Sequence, residues 1–143
     1  MINLSDFPKD IADGFYGDGF TEDELNAGFK IAPNWLPDEY WNFWRRFTEF
    51  SVQSTFFLTP EPYGDFDNAL EGFEREFRQL GFTLQEDCFP VSYNDGFRWG
   101  VFQRKADGSI LCGEYDFQYM EYSRGPFQSF EEWIYSYRNK TTQ

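Results

Sequence analysis

An α+β fold is predicted: one domain over residues 1–143, with a central antiparallel β-meander of about four to six strands flanked by about four helices. Three observations carry that expectation. Helix start signals occur at four places, three of them followed by apolar residues at helical spacing. Between them lie β-rich runs separated by Asn-Asp-Gly and Asp-Gly turns, the sequence form of hairpins. Nineteen Phe, nine Tyr and five Trp supply the apolar area that a disordered acidic tail lacks.

The elements follow in order. Residues 1–19 are an acidic, Gly- and Asp-rich lead-in, expected to pack loosely, with Gly17-Asp18-Gly19 read as a flexible turn. Thr21-Glu22-Asp23-Glu24 forms a capping box, with Phe20 and Leu25 as its hydrophobic staple, so a short helix begins here. Pro37 suits a first helical position and Asp38 and Glu39 favour the N-terminus of a second helix, whose core stripe is Tyr40, Phe43, Trp44 and Phe47. Trp41 falls beside that stripe, either as core in a broad apolar face or as an exposed aromatic offered to a partner. Residues 54–59 read as a strand ended by Pro60, Pro62 and Gly64. Asp65 then caps a third helix. Its apolar stripe is Phe66, Ala69, Leu70, Phe73, Phe77 and Leu80, its opposite face carries Asp67, Glu71, Glu74 and Glu76, and Gly81 stops it.

Strands are expected at 87–93, 97–105 and 109–119, around turns at Asn94-Asp95-Gly96 and Asp107-Gly108. Within 97–105, aromatic and aliphatic residues fall on both alternations (Phe97, Trp99 and Val101 against Phe102), so the sheet is expected to be covered in part on both faces. Gly125-Pro126 reads as a chain break. Beyond it Ser129 and Glu132 form a capping box for a closing helix with Phe130, Trp133, Ile134 and Tyr137 on its apolar face.

Charge sharpens the functional reading. Twenty-five acids against twelve bases leave a net charge of −13. The excess is concentrated at residues 1–30 (net −5) and 61–90 (net −6), while 31–60 and 91–143 carry −1 each. Such a balance opposes phosphate backbones and anionic membranes and attracts a basic protein over long range. The basic doublets Arg45/Arg46 and Arg104/Lys105 are too few for a nucleic-acid groove. No stretch approaches a membrane span, and the opening MINLSDFPKD lacks a signal peptide's basic and apolar regions, so a cytoplasmic protein is expected.

Histidine is absent, which removes the commonest general base, metal ligand and triad member together. There is neither a GxxxxGK[ST] loop nor a GxGxxG fingerprint, and no cofactor or metal is expected. Carboxylate pairs remain as candidates for acid/base or hard-cation chemistry. Asp65/Asp67 are equally explained by a helix N-terminus, and Glu114/Asp116 by a wet strand face. Cys88 and Cys112 fit no metal spacing and read as buried apolar residues, unless adjacent strands bring them together.

Four segments in order resemble the SUKH superfamily of bacterial immunity proteins. Trp35-Leu36-Pro37-Asp38-Glu39-Tyr40-Trp41-Asn42-Phe43-Trp44 resembles its "LPxxYxxF" opening helix, and Cys88-Phe89-Pro90-Val91 its "hPh" strand entry. Trp99-Gly100-Val101-Phe102 through Asp107-Gly108-Ser109-Ile110 is similar to its hairpin, and Ser129-Phe130-Glu131-Glu132-Trp133-Ile134 to its "SFxEWL" closing helix. The resemblance spans about residues 35–138. It implies an α+β domain without catalytic residues whose surface neutralises a cognate toxin, often a nuclease or deaminase, and it transfers no contact residues.

The function expected is therefore a non-catalytic acidic module that blocks the cleft of a basic toxin, with Asp67, Glu71, Glu74, Glu76 and an exposed Trp41 as candidate contacts. A second expectation is a phage-type inhibitor or DNA mimic directed at a nucleic-acid defence enzyme, its acids imitating a phosphate row. A third, weaker one is a carboxylate enzyme built on Glu114 and Asp116. A sheet edge near 109–122 leaves homodimerisation open.

Overall fold

The computed structural model describes residues 1–60, 71–75, 87–95 and 98–138. Among the described residues seven strands form one open antiparallel sheet in sequence order: β1 (Phe15–Tyr16), β2 (Glu49–Val52), β3 (Thr55–Phe57), β4 (Cys88–Asp95), β5 (Arg98–Arg104), β6 (Ile110–Asp116) and β7 (Glu121–Phe127). The helices are α1 (Lys9–Ala12), α2 (Glu22–Ile31), α3 (Asp38–Arg46), α4 (residues 71–75) and α5 (Phe130–Tyr135), with short 3-10 turns at Leu4–Asp6 and Ser136–Arg138. The α+β meander is as expected, but the sheet exceeds the four to six strands predicted.

The additional strands have physical explanations. β1 is only two residues long, too short to show alternation. β2 alternates cleanly, with Phe50 and Val52 buried, but it turns into β3 through Gln53-Ser54 rather than a Gly-containing pair, Gln53 itself adopting φ 54°. β7 continues through Gly125-Pro126, where the sequence predicts a chain break, but its register against β6 shifts there, Gly125 adopting φ 102°. It is an edge strand, where an imino nitrogen forfeits no ladder bond on the open side. The dimerisation edge expected near 109–122 is corrected accordingly: β6 is paired on both sides, and the edge at that end of the sheet is Glu121–Phe127, the two-residue β1 being the other.

One sheet face packs against α3 and α5 through aromatics. Tyr40 on α3 meets Phe102 at 5.3 Å and Phe130 at 5.4 Å. Phe43 meets Phe130 at 5.3 Å, and Phe57 on β3 meets Trp133 at 5.2 Å. These are edge-on or tilted arrangements, in which the positive ring rim faces a neighbour's negative face. The four segments that resemble SUKH proteins supply α3, the start of β4, β5 with its turn, and α5. Helix α5 opens at Ser129, whose hydroxyl accepts from Glu132 N as the first half of the expected capping box, and the Glu39 carboxylate of α3 accepts from the Phe130 amide. Glu39 thus ties the two helices together at α5's positive end.

The lead-in is packed rather than loose. Ile2, Phe7, Ile11 and Phe15 are buried, Phe7 stacks on Tyr135 at 5.0 Å and Phe15 on Phe50 at 4.2 Å, while Asp6, Asp10, Asp13 and Asp18 stay exposed. The Gly17-Asp18-Gly19 turn is also fixed. Gly17 and Gly19 adopt φ 87° and 95°, Gly19 N donates to Thr48 Oγ1, and a Cβ on Gly19 would strike the Arg45 carbonyl. The capping box at Thr21 forms reciprocally with Glu24, and α3 starts one residue later than expected, with Pro37 as N-cap.

The second sheet face is covered at one end by α4. Phe73 is fully buried and packs edge-on against Trp99 at 5.0 Å and Phe117 at 6.0 Å. This explains why β5 is apolar on both alternations: Phe102 faces α3 and α5, and Trp99 faces α4. The rest of the predicted helix at 65–80, with Asp65, lies outside the described residues. Among the described residues no helix is long and apolar enough to cross a membrane.

Candidate functional site

Glu114 and Asp116 were the best catalytic pair in the sequence, and the structure gives each a separate task. Glu114 is buried, 7% exposed, directly across the β6–β7 ladder from Arg124. Its Oε2 accepts from Arg124 Nε at 2.9 Å and its Oε1 from the Thr55 hydroxyl at 2.8 Å. Asn94 Nδ2 donates to Thr55 Oγ1 at 3.1 Å. The Arg124 guanidinium also donates to the Ser136 carbonyl and hydroxyl and lies over the Tyr137 ring, 4.3 Å from its centroid. Tyr137 accepts from Trp133 Nε1 at 3.0 Å, and burial together with the Glu114 charge pushes its phenol well above the ordinary tyrosine value. Asp116, by contrast, accepts from the Gln118 and Tyr119 amides and so shapes the β6–β7 turn. The pair does not converge on a shared space. One carboxylate locks a buried ion pair and the other caps a turn.

The partner candidates are also dispersed. Glu71 on α4 is exposed and Glu74 is half-buried, while Asp67 and Glu76 lie outside the described residues. Trp41 is 7% exposed and packs edge-on against Phe29 at 4.6 Å, so the core reading of it holds and the exposed-contact reading is corrected. The physical reason is α2, whose Gly28 lets the Trp41 ring approach its backbone closely. Cys88 and Cys112 sit on β4 and β6, separated by β5, so two strand spacings of about 4.8 Å each keep their backbones beyond disulfide reach. Burial, with the charge of Asp87, pushes the Cys88 thiol up to about 12, and burial raises Cys112 as well. Among the described residues no group of three acids or cysteines is placed to hold a metal ion.

A groove of about 610 Å³ lies between the N-terminus, α3 and α5. Apart from the exposed Asp18, its charged groups already have partners. Arg45 forms a two-pronged ion pair with Glu22 at 2.9 Å, Arg46 donates to the Ile2 carbonyl, Glu39 accepts from Phe130 N, and Glu131 meets the N-terminal ammonium at 2.5 Å. Compared with protein-family models, curated proteins and solved structures, the chain finds no match. The site is defined by its own chemistry.

That chemistry is most open on the part of the second sheet face formed by β1 to β4. Tyr16 is opposite Glu49, Ser51 opposite Phe56, and Phe56 opposite Tyr93, so these residues line one face in a row across four strands. Tyr16 is 69% exposed, Phe56 60% and Tyr93 37%. A hollow of about 350 Å³ opens beside Phe56, lined by Thr48, Glu49, Ser51 and Thr59 among others. Among the described residues nothing pairs with the Glu49 carboxylate, which is exposed. Sequence reasoning missed this face because β1 and β2 were not recognised as strands. The one available signal was the Glu49–Val52 alternation, which puts Glu49 and Ser51 opposite Phe50 and Val52.

Proposed function

We propose that this protein is a non-catalytic acidic binding module that docks a basic protein and blocks its working surface, in the manner of an immunity protein against a nuclease or deaminase toxin. The observation that carries the reading is the pairing of a −13 charge with a row of exposed aromatics, Tyr16, Phe56 and Tyr93, on one sheet face. Charge speeds encounter with a cationic partner, and exposed aromatics supply the desolvated contact that holds it. A toxin that acts on nucleic acid must itself present positive charge, so the two surfaces are complementary. The toxin as target rests on the four SUKH-like segments.

The engaged state of Glu114, Asp116, Glu39 and Glu131 favours binding over carboxylate catalysis, because each already serves a fold contact. The test is capture of the tagged chain's partner from its source cells, reconstitution from purified components, and assay of the partner's activity. A basic partner that loses activity in the complex, with association slowing at least tenfold between about 50 and 300 mM salt, is expected. A partner that is acidic, or that remains fully active when bound, overturns the reading.

A further inference from the structure

We propose that the hollow beside Phe56 is a socket for one arginine side chain of the basic partner, with Glu49 as counter-ion and the Phe56 ring as the face on which the guanidinium lies. The proposal rests on the reading that this protein binds a basic partner, and it names where and through what chemistry. The antiparallel register fixes the arrangement. Glu49 and Ser51 are two apart on β2, so they share a face, and Phe56 stands opposite Ser51 and diagonal to Glu49. Tyr16, opposite Glu49 on the other side, extends the aromatic rim.

Three features select a guanidinium. The hollow, about 350 Å³, is large enough to take a long side chain. An aromatic face beside a carboxylate offers both of the interactions that a planar cation makes, stacking on the ring quadrupole and a charge-assisted hydrogen bond. Glu49 has no cation or donor of its own among the described residues, in contrast to Glu22, Glu39, Glu114 and Glu131, each held by an intramolecular partner. A free carboxylate beside an exposed phenylalanine has nothing to gain from folding, since the ring's exposed area costs hydrophobic stabilisation; both are complementary to an incoming cation. The −13 charge of the whole chain draws such a partner in, and this pocket gives it a fixed seat.

The probe is a tetra-arginine peptide titrated into the full chain at about 150 mM salt, followed by amide NMR shifts, with a tetra-citrulline peptide as the uncharged counterpart. Shifts centred on Glu49, Ser51 and Phe56 are expected with arginine and not with citrulline. Glu49→Gln should weaken binding at least fivefold and Phe56→Ala at least threefold, while Glu121→Gln stays within twofold of wild type. Glu49, Phe56 and Glu121 are all exposed, so unchanged spectra away from the hollow show that the fold is kept. Shifts spread evenly over the acidic residues, or equal affinity for Glu49→Gln and wild type, overturn the socket. With the captured partner, the two readings separate. A basic partner that binds Glu49→Gln as tightly as wild type removes the socket and leaves the binding function; tetra-arginine seated in the hollow with no basic partner captured does the reverse.

Discussion

Replacing Arg124 with Met tests whether the buried ion pair at the β6–β7 ladder is as deeply committed to the fold as its geometry indicates. The Arg124 and Glu114 side chains are 8% and 9% exposed, so removing the cation leaves a desolvated carboxylate with Thr55 and Asn94 but no counter-charge. Breaking one side of such a pair costs about 3–5 kcal/mol, and the loss of the guanidinium over Tyr137 belongs to the same deficit. At an unfolding entropy of about 2.1 cal/mol/K per residue, 143 residues convert that to a melting temperature about 10–17 °C lower. Glu114→Gln with Arg124→Met removes both charges and keeps an acceptor for the Thr55 hydroxyl. The double variant should therefore lose only about 1–2 kcal/mol, a coupling of about 2 kcal/mol or more. Urea unfolding followed by tryptophan fluorescence measures all three variants. A cost below about 1 kcal/mol for Arg124→Met, or a cycle additive within about 0.5 kcal/mol, refutes the reasoning.

Gly100→Ala should destabilise by about 2–3 kcal/mol, because a Cβ there would collide with the Ser92 hydroxyl and come within 2.7–2.8 Å of the Trp133 ring; a melt within 2 °C of wild type contradicts this. With no histidine, stability should be nearly flat from about pH 6 to 8. Above about pH 8 it should fall, first because unfolded cysteines release protons that the buried Cys88 and Cys112 thiols retain, and more steeply above about pH 10, where unfolded tyrosines release protons that the buried Tyr40, Tyr122 and Tyr137 phenols retain; the native state binds more protons, so alkali favours unfolding. A midpoint in urea that rises between pH 9 and 11 contradicts that sign. Cys88, with its thiol near 12, should hold about a thousandfold less thiolate than an ordinary cysteine and alkylate correspondingly slowly at pH 8 until urea unfolds the chain; rapid native labelling counts against it.

Elements marked by local chemistry were legible in the sequence. The Thr21–Glu24 box, the Tyr40–Phe47 stripe, the Asp107-Gly108 turn and the Ser129 cap each need only neighbouring residues, and each forms where its signal lies. Two-face coverage of β5 was also readable, from apolar residues on both alternations, and Phe73 on α4 supplies the covering ring. β1 and β7 were not legible, because their identity depends on the strand beside them: two residues of β1 are a strand only against β2, and Gly125-Pro126 is tolerated in β7 because it lies at an edge and at a register shift.

The candidate site divides along the same line. Net charge, the missing histidines and the aromatic wealth are properties of the chain as written, and they direct attention to binding a basic partner before any coordinate is known. Which acids stay without an intramolecular partner is a matter of distance. Glu114 and Glu49 are both carboxylates on strands, but pairing across the sheet sets Glu114 against Arg124 under the closing 3-10 turn and leaves Glu49 beside Phe56 on the open face. Local sequence fixes the helices, turns and total charge because those depend on nearest neighbours; tertiary pairing decides which charges are neutralised, because ion pairs form between residues that only the folded sheet brings together.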